Sequence, residues 1–269
     1  MTKTLFASTL PLYALALALA PAQAAINVGS TGFSYSQSFD SLSTSTTATP
    51  WVNDSTLPGW SLIISTLADA PTIAADNGGS NTGTFRSYGS SGSSERALGS
   101  AASGAAYFGA PASGAIAGWI AVAFFNGSGA ALAGFTLAFD SEQWRNGGNV
   151  NPQSLSFEYG FGASIGSVSG WTAGGTAFDA VSLLNTGTAA AVDGNSAGLL
   201  AGRGGAVAAS WAAGDRLWLR WADRNDTGND HGLAIDNLSL SVTAVPEPGA
   251  LALMLGGLAA VGFVARRRA

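Results

Sequence analysis

Between residues 25 and 243, large apolar residues recur at every second position in short runs, and no run carries a helical period. Phe135, Leu137 and Phe139 alternate with Thr136, Ala138 and Asp140. Leu155, Phe157 and Tyr159 alternate with Ser154, Ser156 and Glu158. Side chains of a strand point to opposite faces in turn, so each run buries one face and leaves the other polar. Leu217, Leu219 and Trp221 repeat the pattern between Arg216, Trp218 and Arg220. Phe33 to Phe39 alternates large and small residues over most of its length, and a Pro58-Gly59 turn signal precedes the strand expected at Trp60–Ile64. Ala115 to Asn126 is nearly all apolar, lacks helix caps and carries Gly118, which predicts a strand buried on both faces. Near the end, Leu233 and Ile235 lie on one parity, whereas Leu238, Leu240 and Val242 lie on the other. The slip at Asp236-Asn237 predicts a β-bulge.

Short strands separated by Gly-rich turns give an all-β expectation: a two-sheet β-sandwich (jelly roll) filling one domain, 25–243. The 37 glycines disfavour helices, and the aromatic content opposes disorder. Trp171 and Phe178 lie in a Gly-rich stretch with room for one more strand. Asp76 to Gly104, dominated by Gly, Ser and Asn, reads as a flexible loop. With no cysteine, an exported fold must rely on its core, its hydrogen bonds or a metal. Seven arginines face fifteen acids between residues 25 and 243, a formal balance of minus eight. That is a poor footprint for nucleic acid or anionic lipid; it suits calcium, neutral glycans or plain solubility.

Both ends read as targeting segments. Residues 1–24 have a signal-peptide layout, with Lys3 in the charged region, an apolar Leu10 to Ala20, and Ala22-Gln23-Ala24 as a small-x-small site for signal peptidase. Residues 244–269 carry Pro246-Glu247-Pro248, an apolar run over about 250–265, and Arg266, Arg267 and Arg268. The run is near the lower length limit for a membrane helix, and the arginines favour the cytoplasmic side. This tripartite tail resembles the PEP-CTERM sorting signal of Gram-negative bacteria. The resemblance implies recognition by an exosortase, transient anchoring in the inner membrane and cleavage near Pro-Glu-Pro.

A second resemblance spans the domain. It rests on Phe39-Asp40-Ser41-Leu42, Leu57-Pro58-Gly59-Trp60, Ser94-Glu95-Arg96-Ala97-Leu98-Gly99, Glu142-Gln143-Trp144-Arg145, Leu155-Ser156-Phe157-Glu158-Tyr159, Val192-Asp193-Gly194-Asn195 and Leu219-Arg220-Trp221-Ala222-Asp223, running on to Asp236. Together these resemble a secreted bacterial jelly-roll module. They imply a lectin-like or carbohydrate-binding-like architecture without an established catalytic site.

Several clusters are candidates for chemistry. Asp223, Asn225, Asp226, Asp230 and Asp236 offer oxygen ligands for Ca²⁺, and Asp223-x-Asn225-x-x-Gly228 fits the first half of an EF-hand-type loop. Position twelve is Ala234 rather than Glu, so a β-sandwich calcium loop or a plain polar turn are the two readings. An exposed Trp144 beside Glu142 and Arg145 would stack on a sugar ring. A buried Trp144 would leave Arg145 to pair with Glu142 or another acid. Arg96 reads as a structural pairing residue beside Glu95. His231 is the one histidine, and no Gly-x-Ser-x-Gly elbow accompanies it. Glu142 and Glu158 are the best pair for a glycosidase, although no spacing selects them.

The expectation is therefore an exported, exosortase-sorted, non-catalytic protein of the cell surface or biofilm matrix that binds exopolysaccharide. The alternatives are a secreted hydrolase of matrix glycans and a purely structural matrix component.

Overall fold

The computed structural model describes residues 25–245 and Arg266. The leader 1–24, the elements Pro246, Glu247 and Pro248, the apolar run 250–265, and Arg267 and Arg268 lie outside the described residues. In chain order the strands are β1 (Ile26–Val28), β2 (Ser34–Gln37), β3 (Thr49–Pro50), β4 (Trp60–Ile64), β5 (Thr72–Asp76), β6 (Thr84–Tyr88), β7 (Ala97–Ala101) and β8 (Ile116–Asn126). They continue with β9 (Leu132–Asn146), β10 (Ser154–Phe161), β11 (Thr172–Ala173), β12 (Ala180–Val181), β13 (Ala190–Ala191), β14 (Leu199–Trp211), β15 (Arg216–Arg224) and β16 (Gly232–Ala244). Between residues 25 and 245 the helical pieces are three short 3-10 turns.

The strands form two sheets. In the first, β1 and β4 share one edge of β8, followed by β15 and β10, with β11 and β12 on the far edge of β10. In the second, β13 and β14 share one edge of β9, which pairs with β16 along its other edge. The far edge of β16 takes β7 and then β2, and β6, β5 and β3 complete the sheet. From β8 to β10 and from β14 to β16, successive long strands alternate between sheets, as in a jelly roll. The fold is an all-β two-sheet sandwich.

The core is the inward parity of these strands. Phe135, Leu137 and Phe139 of β9 face Phe157 of β10 and Leu219 and Trp221 of β15. The Phe139 and Trp221 rings meet edge-on, 5.4 Å apart at 77°. Such a contact adds about 0.5–1.5 kcal/mol to the apolar area it buries. The sequence parity of β16 also has its physical counterpart. Asp236 pairs with Asp140 and Ser239 with Ala138, so two residues of β16 oppose one of β9. Asn237, at φ 48°, takes the left-handed conformation that absorbs the extra residue. The bulge keeps Ile235 and Leu238 both in the core. β8 is buried on both faces: its outer residues Ala121 and Ala123 lie under Trp218, Val168 and Trp171.

One expectation needs correcting. Asp76 to Gly104 is not a loop throughout, because β6 and β7 lie inside it. Their small residues allow close packing: a Cβ at Gly99 would stand 2.2 Å from the Leu233 carbonyl oxygen. Ser87 and Ser100 are buried and hydrogen-bonded by their side chains. The Gly-rich stretch at Trp171–Phe178 follows its expectation. It does hold one more strand, the two-residue β11, followed by a 3-10 turn at Thr176–Phe178.

Candidate functional site

The outer face of the nine-stranded sheet brings together Glu95, Glu142, Trp144 and Asp236. Glu142 and Trp144 are two apart on β9 and project from it together, opposite to the core parity of Phe139. Trp144 is 1% exposed. Its ring stacks parallel to Tyr88, with centroids 6.1 Å apart, and the loop at Gly194 closes over it. A Cβ at Gly194 would come within 2.3 Å of the indole nitrogen. The indole N–H donates to Glu142 Oε2 at 2.7 Å. Trp144 therefore has no open face for a sugar. Arg145 donates to the carbonyls of Gly78 at 2.9 Å and Gly79 at 3.1 Å, holding the turn after β5.

Glu142 has two carboxylate neighbours from distant parts of the chain. Glu95 comes from the turn before β7 and Asp236 from the β16 bulge. One oxygen from each of the three lies within 4.8 Å of the other two. Glu142 is buried, and burial pushes its carboxyl up to about 7 against the lowering effect of the Trp144 hydrogen bond. The charges of Glu95, Asp140 and Asp193 push the same way as burial. Asp236 is raised by burial first, opposed by the Asn237 N–H, and raised further by the charges of Glu142 and Glu95 and by a side-chain hydrogen bond with Glu95. Asn195 donates to Glu95 Oε2.

The proposed calcium set is divided by the structure. Asp223 ends β15 and accepts from the Ser100 hydroxyl at 2.6 Å. Burial raises it to about 7. Asp230 Oδ1 accepts from the Asp226 N–H at 2.7 Å, and burial followed by the charge of Asp223 raises Asp230 to about 8. Asn225 donates to the Pro111 carbonyl at 3.0 Å. These contacts hold the 223–231 loop together. Asp236 stands apart from it, beside Glu95 and Glu142. His231 is buried, and its Nδ1 accepts from the Gly147 N–H at 2.9 Å. Glu158 faces outward on the opposite sheet, paired to Arg220 at 2.6 Å. The Arg220 guanidinium lies 3.6 Å over the Trp171 ring. Arg96 donates to the Ser87 hydroxyl at 2.9 Å and to the Ser87 carbonyl, without pairing to Glu95.

Beside this cluster lies a polar cleft of about 690 Å³. Its walls include Thr44, Thr46, Asn77, Ser80 and the turn Ser90–Ser94. Arg86 and Asp76 form its buried floor, 3.6 Å apart. No pattern in the sequence announces this cleft, since its lining is mostly Ser, Thr, Asn and Gly from three separate segments.

Residues 244–268 match the model of the PEP-CTERM protein-sorting motif. The chain carries the PEP-CTERM sorting signal. This PEP-CTERM tail marks the protein for exosortase-linked export, with a membrane-anchored stage that ends at the cell surface. Arg266 of the tail has helical backbone and is exposed. No curated protein matches the chain. Among solved structures, it is similar to the CBM22-1 xylan-binding domain of Xyn10C from Paenibacillus barcinonensis, at 9% identity and a TM-score of 0.37. That likeness covers 81% of this chain and 99% of the other.

Proposed function

We propose that the exported sandwich is a non-catalytic module that binds extracellular polysaccharide at the cell surface or in the biofilm matrix. The cleft on the outer face of the nine-stranded sheet would hold the glycan. The lining of that cleft carries the reading. Thr44, Thr46, Asn77, Ser80 and Ser90–Ser94 surround about 690 Å³ with hydroxyl and amide groups. Such groups both donate and accept, as sugar hydroxyls do. The volume lies within the range of small-ligand sites. The domain's negative balance disfavours polyanions, so a neutral glycan is the class that fits.

Hydrolysis has less support. Glu142 and Glu158 lie on the outer faces of opposite sheets with the core between them. Glycoside cleavage needs two carboxyl groups roughly 5–10 Å apart across the bond. Affinity electrophoresis in gels containing the producing cells' exopolysaccharide tests the reading. The purified exported protein should be retarded. Ser91→Trp, which fills the cleft from an exposed position, should weaken binding about tenfold or more, a loss of about 1.4 kcal/mol. Equal retardation of both proteins would take the cleft out of the account.

A further inference from the structure

We infer that Glu95, Glu142 and Asp236 form a site for one hard divalent cation of the calcium class, where the β6–β7 turn, β9 and the β16 bulge meet. One oxygen from each residue lies within 4.8 Å of the other two. Three carboxylates so close repel one another unless a cation or protons neutralise them. Among the described residues the ion pairs are Arg86–Asp76 and Arg220–Glu158, and neither includes a member of the trio. The arginines adjacent in sequence are engaged elsewhere: Arg96 with Ser87, and Arg145 with the carbonyls of Gly78 and Gly79.

A second observation is independent of the count of acids. Asp236 is 2% exposed, and among the described residues no N–H or hydroxyl reaches its Oδ1; the one side-chain partner of Asp236 is the Glu95 carboxyl, with which it can only share a proton. Glu95 Oε1 is buried in the same condition. A buried oxygen left unpaired is costly, and a bound cation removes that cost. The bulge is what brings Asp236 there, since an extra residue in a strand re-aims the side chains beside it. The donor atoms are all carboxylate oxygens, which suits Ca²⁺ or Mg²⁺ rather than Zn²⁺. Calcium takes six to eight oxygens and accepts bidentate carboxylates in irregular arrangements. Magnesium keeps several waters and is seldom held by an all-protein cage. A buried trio drawn from three segments favours calcium.

The test uses the whole exported protein, stripped with EGTA and titrated with CaCl₂ or MgCl₂ by calorimetry and thermal melting. One calcium per chain should bind, with a melting temperature that rises with calcium concentration and a smaller response to magnesium. Glu142→Gln and Asp236→Asn should each weaken binding at least about tenfold. Each replaces a carboxyl by an amide of the same size in a crowded buried cluster, so both variants should melt no lower than wild type in EGTA. Asp230→Asn should bind calcium as wild type does. Absence of heat and of any melting shift at saturating calcium overturns the site. So does an unchanged response in both Glu142→Gln and Asp236→Asn, or a response lost in Asp230→Asn alone. A magnesium response equal to that of calcium overturns the choice of ion.

Discussion

Trp144 and Asp223 illustrate how single buried groups set the behaviour of this sandwich. The Trp144 indole both stacks on Tyr88 and donates to Glu142. Trp144→Phe keeps a ring against Tyr88 and removes the donor. It should cost about 1–2 kcal/mol, the usual range for a buried hydrogen bond. For a domain of this size that is a fall of about 2–8 °C in melting temperature. Asp223 carries a pH effect of defined sign. Burial raises its carboxyl from 3.8 to about 7 despite the Ser100 hydrogen bond. Between those values the folded protein holds a proton that the unfolded chain has released. Stability therefore falls as pH rises through that window, and the loss is complete above it. Melting in EGTA between pH 4 and 7 should show a shallower decline for Asp223→Asn than for wild type. Parallel slopes would remove Asp223 as a source. Glu95, Glu142 and Asp236 each stood out in the sequence as individual residues, but no spacing links them. They meet only because β9 pairs with β16 and the β6–β7 turn folds over that pair. A sequence pattern records neighbours along a strand, not neighbours across a sheet.

At the scale of elements, strands with large alternating side chains were legible, and those built from small residues were not. β9, β10 and β15 carry aromatic and leucine side chains at period two, so their inward faces could be read directly. The bulge was legible because a parity slip leaves a visible break in that period. β14 was not, because it is largely Gly and Ala, yet it pairs with β9 over most of its length. Its glycines are there for closeness: a Cβ at Gly204 would stand 2.1 Å from the Leu137 carbonyl oxygen. β7 was hidden for the same reason, whereas β6, with Phe85 and Tyr88, was masked by the Gly-, Ser- and Asn-rich sequence on either side of it. Gly99→Ala should therefore force β7 away from β16 at a cost of about 1–3 kcal/mol, the typical penalty for overpacking. Urea unfolding would read this as a lower midpoint; an unchanged midpoint would mean that the two strands separate freely there. Asn237→Val places a β-branched residue at φ 48° and should cost about 1–2 kcal/mol. It should also weaken calcium binding, because the bulge aims Asp236. Asn237→Gly, free of the Cβ penalty, should do neither.

At the scale of the whole molecule, the PEP-CTERM tail sets the destination and the sandwich presents the cleft there. The chain has no cysteine, so no disulfide can hold the cleft walls. The Ser90–Ser94 wall runs directly into Glu95, one of the three carboxylates inferred to hold calcium. Calcium at that site would fix the wall, so glycan affinity should fall in EGTA and recover with added calcium. Glu142→Gln should abolish that dependence. The most direct measurement is calorimetric titration of the purified exported protein with the producing cells' exopolysaccharide, in calcium and in EGTA, with analysis of the same mixture for released oligosaccharides. The account predicts saturable binding in calcium, weaker binding in EGTA and no released fragments. Absence of binding in both conditions, or the appearance of oligosaccharide products, would contradict it.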